Sequence, residues 1–219
     1  MSEIENITPQ ILLNAYANGI FPMSDGRDDP DIFWVDPEWR GIIPLDAVKL
    51  SKRLRRTIKQ DKFDVRIDTA FQKVVEECAK TSRNRENTWI SEAIEKLYVE
   101  LHTLGFAHSV ECWQNDKLVG GLYGVSLRGA FFGESMFTRE TDASKVALMH
   151  LIARLKVGGF HLLDTQFMTE HLSQFGALEI SRESYHQHLE DAMQVGGDFY
   201  SLAVDADGET VLQPITQTS

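Results

Sequence analysis

Only two cysteines, Cys78 and Cys112, occur in the 219 residues, and they show neither a metal nor a redox spacing. A disulfide framework is thereby excluded, and both thiols are expected to be reduced, as in a cytoplasmic protein. No apolar run reaches the ~18 residues of a membrane-spanning helix. Residues 1–10 are acidic and polar, unlike a secretory signal. Positive charge is also in short supply: 22 Lys and Arg stand against 33 Asp and Glu, a net −11. Such a balance argues against a general nucleic-acid coat while leaving room for a local basic patch. Neither a Gly-x-Ser-x-Gly elbow nor a Cys–His nucleophile spacing occurs, and there is no internal repeat. His186 and His188 stand two apart in a helical segment, where side chains do not face each other. His102, His108, His150, His161 and His171 have no ligand spacing with a carboxylate, so no metal is expected.

What remains is an ordinary globular composition, 42% hydrophobic and 25% charged, long enough to bury a real core. Thr8, Pro9 and Gly19 frame a first helix with Ile11, Leu12, Ala15 and Tyr16 on one stripe. An acidic loop at 25–31 and a short strand at 33–35 follow, then a stretch broken by Pro37, Gly41 and Pro44. Residues 51–60 read as a helix, Phe63, Val65 and Ile67 alternate as a strand, and Phe71, Val74, Val75 and Cys78 mark another helix. After a polar loop at 82–87, Ser91 caps a helix ended by Gly105. Strands near 108–113, 117–125 and 130–136 form an antiparallel meander. A helix over 143–156 leads through Gly158-Gly159 to a strand at 162–166, and helices at 169–175 and 183–193 close the pattern.

Two segments carry the chemistry. Gly133-Glu134-Ser135-Met136-Phe137 and Leu162-Leu163-Asp164-Thr165-Gln166 put polar groups on buried, strand-forming runs. Alternation places Asp164 and Gln166 on one strand face. Burying a carboxylate is costly unless it is paired or used, so the two segments read as a reaction site. The alternative is a pair of structural carboxylates capping the helix starts at 138–143 and at Thr169. A second signal is the concentration of Lys49, Lys52, Arg53, Arg55, Arg56, Lys59 and Lys62 on an acidic chain. Phosphate contact by such a helix is sequence-tolerant and salt-sensitive.

A meander, then strand, helix and strand, is the order of GNAT-class acetyltransferases. That fold seats coenzyme A on a glycine-rich turn after its fourth strand. Here the turn is Thr138-Arg139-Glu140-Thr141-Asp142, without glycine and with two acids. The expected architecture is α/β (α+β): a small N-terminal α+β domain over 1–82, a GNAT-like mixed-sheet catalytic domain over 83–195, and a polar tail over 196–219 without regular structure.

Ser109-Val110-Glu111 with Trp113, the run Leu118-Val119-Gly120-Gly121-Leu122-Tyr123-Gly124-Val125, Gly133 to Phe137, Ala143-Ser144-Lys145 and Asp164-Thr165-Gln166 together resemble the leucyl/phenylalanyl-tRNA–protein transferases. So do Thr88-Trp89-Ile90 and Ala15-Tyr16 with Gly19-Ile20-Phe21-Pro22. The resemblance covers residues 8–193. It implies transfer of Leu, Phe or Met from aminoacyl-tRNA to protein N-termini beginning with Arg or Lys, marking them for degradation. It also implies a GNAT-like domain working without coenzyme A, with no cofactor and no membrane partner, and a monomer is favoured. Asp164, Gln166 and Glu134 take the catalytic roles. Leu122, Phe131, Met136 and Leu163 line the aminoacyl pocket, while Met23, Trp89, Arg53, Arg55, Arg56 and Lys59 meet adenosine and tRNA. Met23 stands where family members often carry an aromatic ring, and Thr169-Glu170 where some carry Asn-Asp. Two rivals remain: a coenzyme A-dependent N-acyltransferase on the same fold, and a non-catalytic tRNA-binding adaptor.

Overall fold

A computed structural model describes residues 7–29, 31–80 and 88–216. The elements run α1 (Pro9–Ala17), β1 (Phe21–Met23), β2 (Phe33–Val35), β3 (Trp39–Ile42), α2 (Lys52–Lys59), β4 (Asp64–Ile67) and α3 (Phe71–Ala79). Then come α4 (Glu92–Thr103), β5 (Ala107–Gln114), β6 (Lys117–Leu127), β7 (Ala130–Thr138), α5 (Ala143–Val157) and β8 (Leu162–Gln166). The last are α6 (Glu170–Ser173), β9 (Leu178–Ser181), α7 (Arg182–Gln194) and α8 (Gly208–Thr216). Short polar side chains set the helix starts. Thr8, Ser51 and Ser91 each accept a hydrogen bond from a first-turn backbone N–H, those of Ile11, Leu54 and Ile94. The buried stripe of α1 is Leu12, Leu13 and Tyr16; Ile11, expected on it, is exposed.

Seven strands form one sheet in the order β4-β5-β6-β7-β8-β3-β9, and β1 with β2 makes a separate ribbon. Among the described strands only β7 with β8 is parallel. Neighbouring residues go to two different cores: Leu122, Phe131 and Leu163 to one, Tyr123, Phe132 and Leu162 to the other. That alternation is the period-two signature of a sheet buried on both faces. Residues of α2, α5 and α8 fill the first core, those of α1, α3, α4 and α7 the second.

The sheet crosses residue 82, since β3 and β4 precede it and pair with strands that follow it. The loop at 82–87 lies outside the described residues. Three strands, β1, β3 and β9, go beyond the sequence pattern. In β3 four residues are interrupted by Gly41 and flanked by Pro37 and Pro44, while β9 runs straight into α7. The segment after Val195, expected to be a polar tail without regular structure, instead carries α8 with Val211 and Leu212 buried. Its approach is held by Arg154, whose buried guanidinium donates to the carbonyls of Phe199, Leu202 and Ala203 at 2.8, 2.6 and 2.9 Å.

Candidate active site

Where β7, β8 and β3 lie side by side, two carboxylates are buried. Glu134 projects from β7 into a ring of neutral donors. Its Oε1 accepts from the Tyr16 hydroxyl at 2.7 Å and from Gln166 Nε2 at 2.9 Å, and its Oε2 accepts from the Tyr98 hydroxyl at 2.8 Å. The two phenols are themselves 2.6 Å apart. Tyr16 comes from α1 and Tyr98 from α4, both from otherwise apolar stripes. Burial pushes Glu134 up to about 7; the three hydrogen bonds oppose the rise and the charge of Asp164 adds to it. Burial first, then the Glu134 charge, holds both phenols well above the ordinary tyrosine range.

Asp164 is fully buried on β8 and meets a cation. Arg40 of β3 donates through Nε at 3.0 and 3.2 Å and through Nη2 at 2.6 Å, and the Tyr185 hydroxyl of α7 adds a contact of 2.8 Å. Burial would lower the Arg40 pKa, but the facing Asp164 charge and its hydrogen bonds hold it above its usual value. The backbone N–H of Gln166 also donates to Asp164, at 2.7 Å.

Gln166 departs from strand geometry. Its φ is +62°, and the Phe167 N–H reaches back to the Thr165 carbonyl at 2.7 Å, which makes Gln166 the apex of a γ-turn. The positive-φ form of this turn is rare, and a non-glycine residue held there costs about 1–3 kcal/mol. Gly41, the register partner of Gln166, permits the turn to lie against β3: a Cβ at Gly41 would sit 2.7 Å from the Phe167 carbonyl carbon. Asp164 and Gln166 both turn toward the tyrosines of the second core, Tyr185 for Asp164 and, through Glu134, Tyr16 and Tyr98 for Gln166, but their side chains take different partners. The backbone of Gln166 answers to Asp164, and its amide to Glu134.

A cavity of about 280 Å³ opens beside Glu134 and Gln166. Its apolar wall comes from Leu122, Met136 and Leu163 with Leu148, Leu151 and Leu172; Trp89, Phe167 and His171 also line it. Asp164, Phe131 and Met23 do not line it. Phe131 is fully buried and stacks on Phe199 instead. Met23 sits half-buried on β1, opposite the exposed Phe33 of β2.

The basic helix α2 buries Leu54 and Ile58 and exposes Arg53, Arg55, Arg56 and Lys59. Arg53 pairs with Asp142 at 2.9 Å and Lys59 with Glu209 at 2.7 Å. A shallow hollow lined by Arg53, Lys145 and Gln174 lies beside this helix, and Gln174 contacts the cavity residue His171. At the head of α5 the Arg139 and Glu140 amides donate to the Val119 carbonyl, at 2.7 and 3.2 Å, and Ala143 N–H donates to the Glu140 carbonyl. These amides are engaged within the chain, and two acids flank them. Among the described residues no helix is long and apolar enough to cross a membrane.

Arg40 and Tyr185 join the site without having been marked by the sequence pattern, and Tyr16 and Tyr98, marked only by their apolar helix stripes, join it through their hydroxyls. The one signal available for the tyrosines is a hydroxyl on an apolar stripe, which needs a partner when buried.

Residues 42–190 match the family described as leucyl/phenylalanyl-tRNA protein transferase, and residues 5–38 match that family's N-terminal domain. A leucyl/phenylalanyl-tRNA–protein transferase of Phenylobacterium zucineum (strain HLK1) is 59% identical over 213 residues, covering 95% of this chain and 96% of the relative. The same-named protein of Maricaulis maris (strain MCS10) is 57% identical over 208 residues, 95% of this chain and 96% of the relative. That of Afipia carboxidovorans is 56% identical over 204 residues, 93% and 90% of the two chains.

Proposed function

The chain belongs to the leucyl/phenylalanyl-tRNA–protein transferase family, and on that premise we propose that it moves Leu or Phe from aminoacyl-tRNA to the N-terminal amine of proteins. The acceptors we propose begin with Arg or Lys, the product is a degradation signal, and the enzyme works as a cytoplasmic monomer. The reading rests on one observation above all: Glu134, a buried carboxylate with only neutral partners, stands at the head of an apolar cavity.

In the reaction the acceptor amine attacks the ester carbonyl carbon. A C–N bond forms, the ester C–O bond breaks, and the terminal ribose oxygen of the tRNA leaves. One proton passes, in net terms, from the amine nitrogen to that oxygen. The ester is already activated, and an α-amine with a pKa near ~7.7–8.0 is partly neutral at cellular pH, so alignment is the main requirement. The cavity wall of Leu122, Met136, Leu163 and Leu148 receives the apolar donor side chain. Discrimination by one methylene in such a pocket is limited to about 1–3 kcal/mol, consistent with a site that accepts both Leu and Phe. Glu134, once ionised, attracts an ammonium group. The Nε2 of Gln166 is engaged by Glu134, which leaves Oε1 to accept an N–H from the incoming amine. Asp164 is closed off by Arg40 and Tyr185, so its part is to hold Gln166 rather than to touch the amine. Arg55 and Arg56, exposed on α2, offer phosphate contacts to the body of the tRNA.

The test is transfer of radiolabelled Leu from charged tRNA to an Arg-initiated peptide, beside acetyl-coenzyme A as a competing donor. Label on the peptide from Leu-tRNA and Phe-tRNA, with no acetylation, is the expected result. Acetylation without aminoacyl transfer overturns the reading in favour of a coenzyme A enzyme. The turn Thr138-Arg139-Glu140-Thr141-Asp142 before α5, with no glycine and two acids, argues against that outcome.

A further inference from the structure

The positive-φ turn at Gln166 needs something to hold it, because a non-glycine residue persists there only where its surroundings over-determine the backbone. The surroundings are specific. The Gln166 N–H is fixed by Asp164 Oδ1, and Arg40 grips the same carboxylate through both Nε and Nη2. The Tyr185 hydroxyl donates to Asp164 Oδ2 and stands 3.2 Å from Arg40 Nη2. Arg40 is held in turn: its Nη1 donates to the Gly19 carbonyl at 2.8 Å, and its guanidinium lies 4.6 and 4.3 Å from the rings of Phe21 and Tyr185. An ion pair that served the core alone would not need the Gln166 N–H.

We propose that Arg40 and Tyr185 are positioning residues, which fix Asp164 so that the Gln166 turn delivers its amide to Glu134. The inference rests on the reading that Glu134 and Gln166 act on the substrates. Arg40 and Tyr185 do not line the cavity; they act through Asp164 and the Gln166 backbone. Weakening the clamp lets the turn relax, and Glu134 then loses one of its three donors.

The test uses the full chain with Tyr185→Phe, which deletes one hydroxyl, and Arg40→Lys, which keeps the charge and loses the fork. Transfer from Leu-tRNA to an Arg-initiated peptide is followed from pH 6 to 9 beside thermal unfolding. For Tyr185→Phe kcat should fall about threefold to tenfold, the worth of one hydrogen bond. For Arg40→Lys it should fall about 10- to 100-fold, as for a misplaced site group. In both, KM for the charged tRNA should stay within about twofold, since the phosphate contacts are remote. A second arm needs no donor: the carbon-13 titration of the Glu134 carboxyl should move upward in both variants. The titratable and charged groups that act on that carboxyl are Tyr16, Tyr98, Asp164 and Arg40, all kept by Tyr185→Phe. An unmoved titration, or kcat losses that only follow the folded fraction, overturns the clamp. If the wild-type protein transfers nothing, the functional reading fails alone, and the carboxyl titration still decides the clamp.

Discussion

Glu134 and Asp164 occupy adjacent strands, are 8% and 0% exposed, and are each met by several donors, yet their surroundings differ in kind. Asp164 faces a guanidinium, so its charge is compensated where it sits. Glu134 faces two phenols and an amide, which hydrogen-bond a carboxylate without cancelling its charge. Desolvation therefore wins at Glu134 and lifts it to about 7. One carboxylate is thus built into the frame, and the other is left free to gain or lose a proton at cellular pH. The Gln166 turn joins them, its backbone on the first and its amide on the second.

Breaking the charged half should have the largest effect. Arg40→Ala leaves Asp164 buried and uncompensated, a loss of about 3–5 kcal/mol in unfolding free energy by denaturant titration. Removing the carboxylate as well, in Arg40→Ala with Asp164→Ala, should recover part of that loss. A double variant no more stable than the single one would show that Arg40 matters for packing rather than charge.

Next comes the neutral half. A carboxyl raised from 4.5 to about 7 gives the folded chain more bound protons than the unfolded one across that window. Stability is therefore fully supported below pH 4.5 and is lost as pH rises through about 7. Glu134→Gln removes the titration, so its unfolding free energy relative to wild type should improve by roughly 3 kcal/mol between pH 5 and pH 8. Transfer activity should fall in the same variant. A difference that stays flat with pH would place the Glu134 carboxyl in a wetter setting. Tyr98→Phe is the smaller cut: it removes one donor from the ionised carboxylate, about 1–3 kcal/mol at pH 8 and less at pH 5.

These two halves are unevenly legible in the sequence. Glu134, Asp164 and Gln166 stand out because polar groups on buried runs are conspicuous. Thr8, Ser51 and Ser91 stand out because capping is decided within one helical turn. Arg40 does not, since its partner lies 124 positions away and nothing local distinguishes it from an exposed arginine on a short edge segment. Tyr16 and Tyr98 read as core, which is where their rings are; the use of their hydroxyls depends on Glu134 arriving from β7. The same holds for α8. Its Val211 and Leu212 are buried in the first core, and the approach to it is held by Arg154 on the carbonyls of Phe199, Leu202 and Ala203, contacts distant in sequence of which a tail of mixed polarity gives no periodic sign.

The gentlest perturbation tests whether both halves are insulated from the basic helix. Arg55 and Arg56 are exposed on α2, on the outer face of a helix that contacts α5 and α8 through its other side. Reversing both to Glu should change unfolding free energy by no more than about 0.5 kcal/mol, as for surface substitutions away from any network. The Glu134 titration should not move. What should change is use of the long substrate: KM for charged tRNA rises, while transfer from a minimal aminoacyl-adenosine donor is unaltered, because only the tRNA carries remote phosphates. The salt dependence should flatten as well, by about 0.7–0.9 in the slope of log affinity against log salt for each phosphate no longer neutralised. Steady-state transfer with both donors, from low to high salt, reads all of this in one series. Equal damage to the two donors would make α2 a structural support of the cavity through α5, and would join the basic helix to the framework that Asp164 anchors.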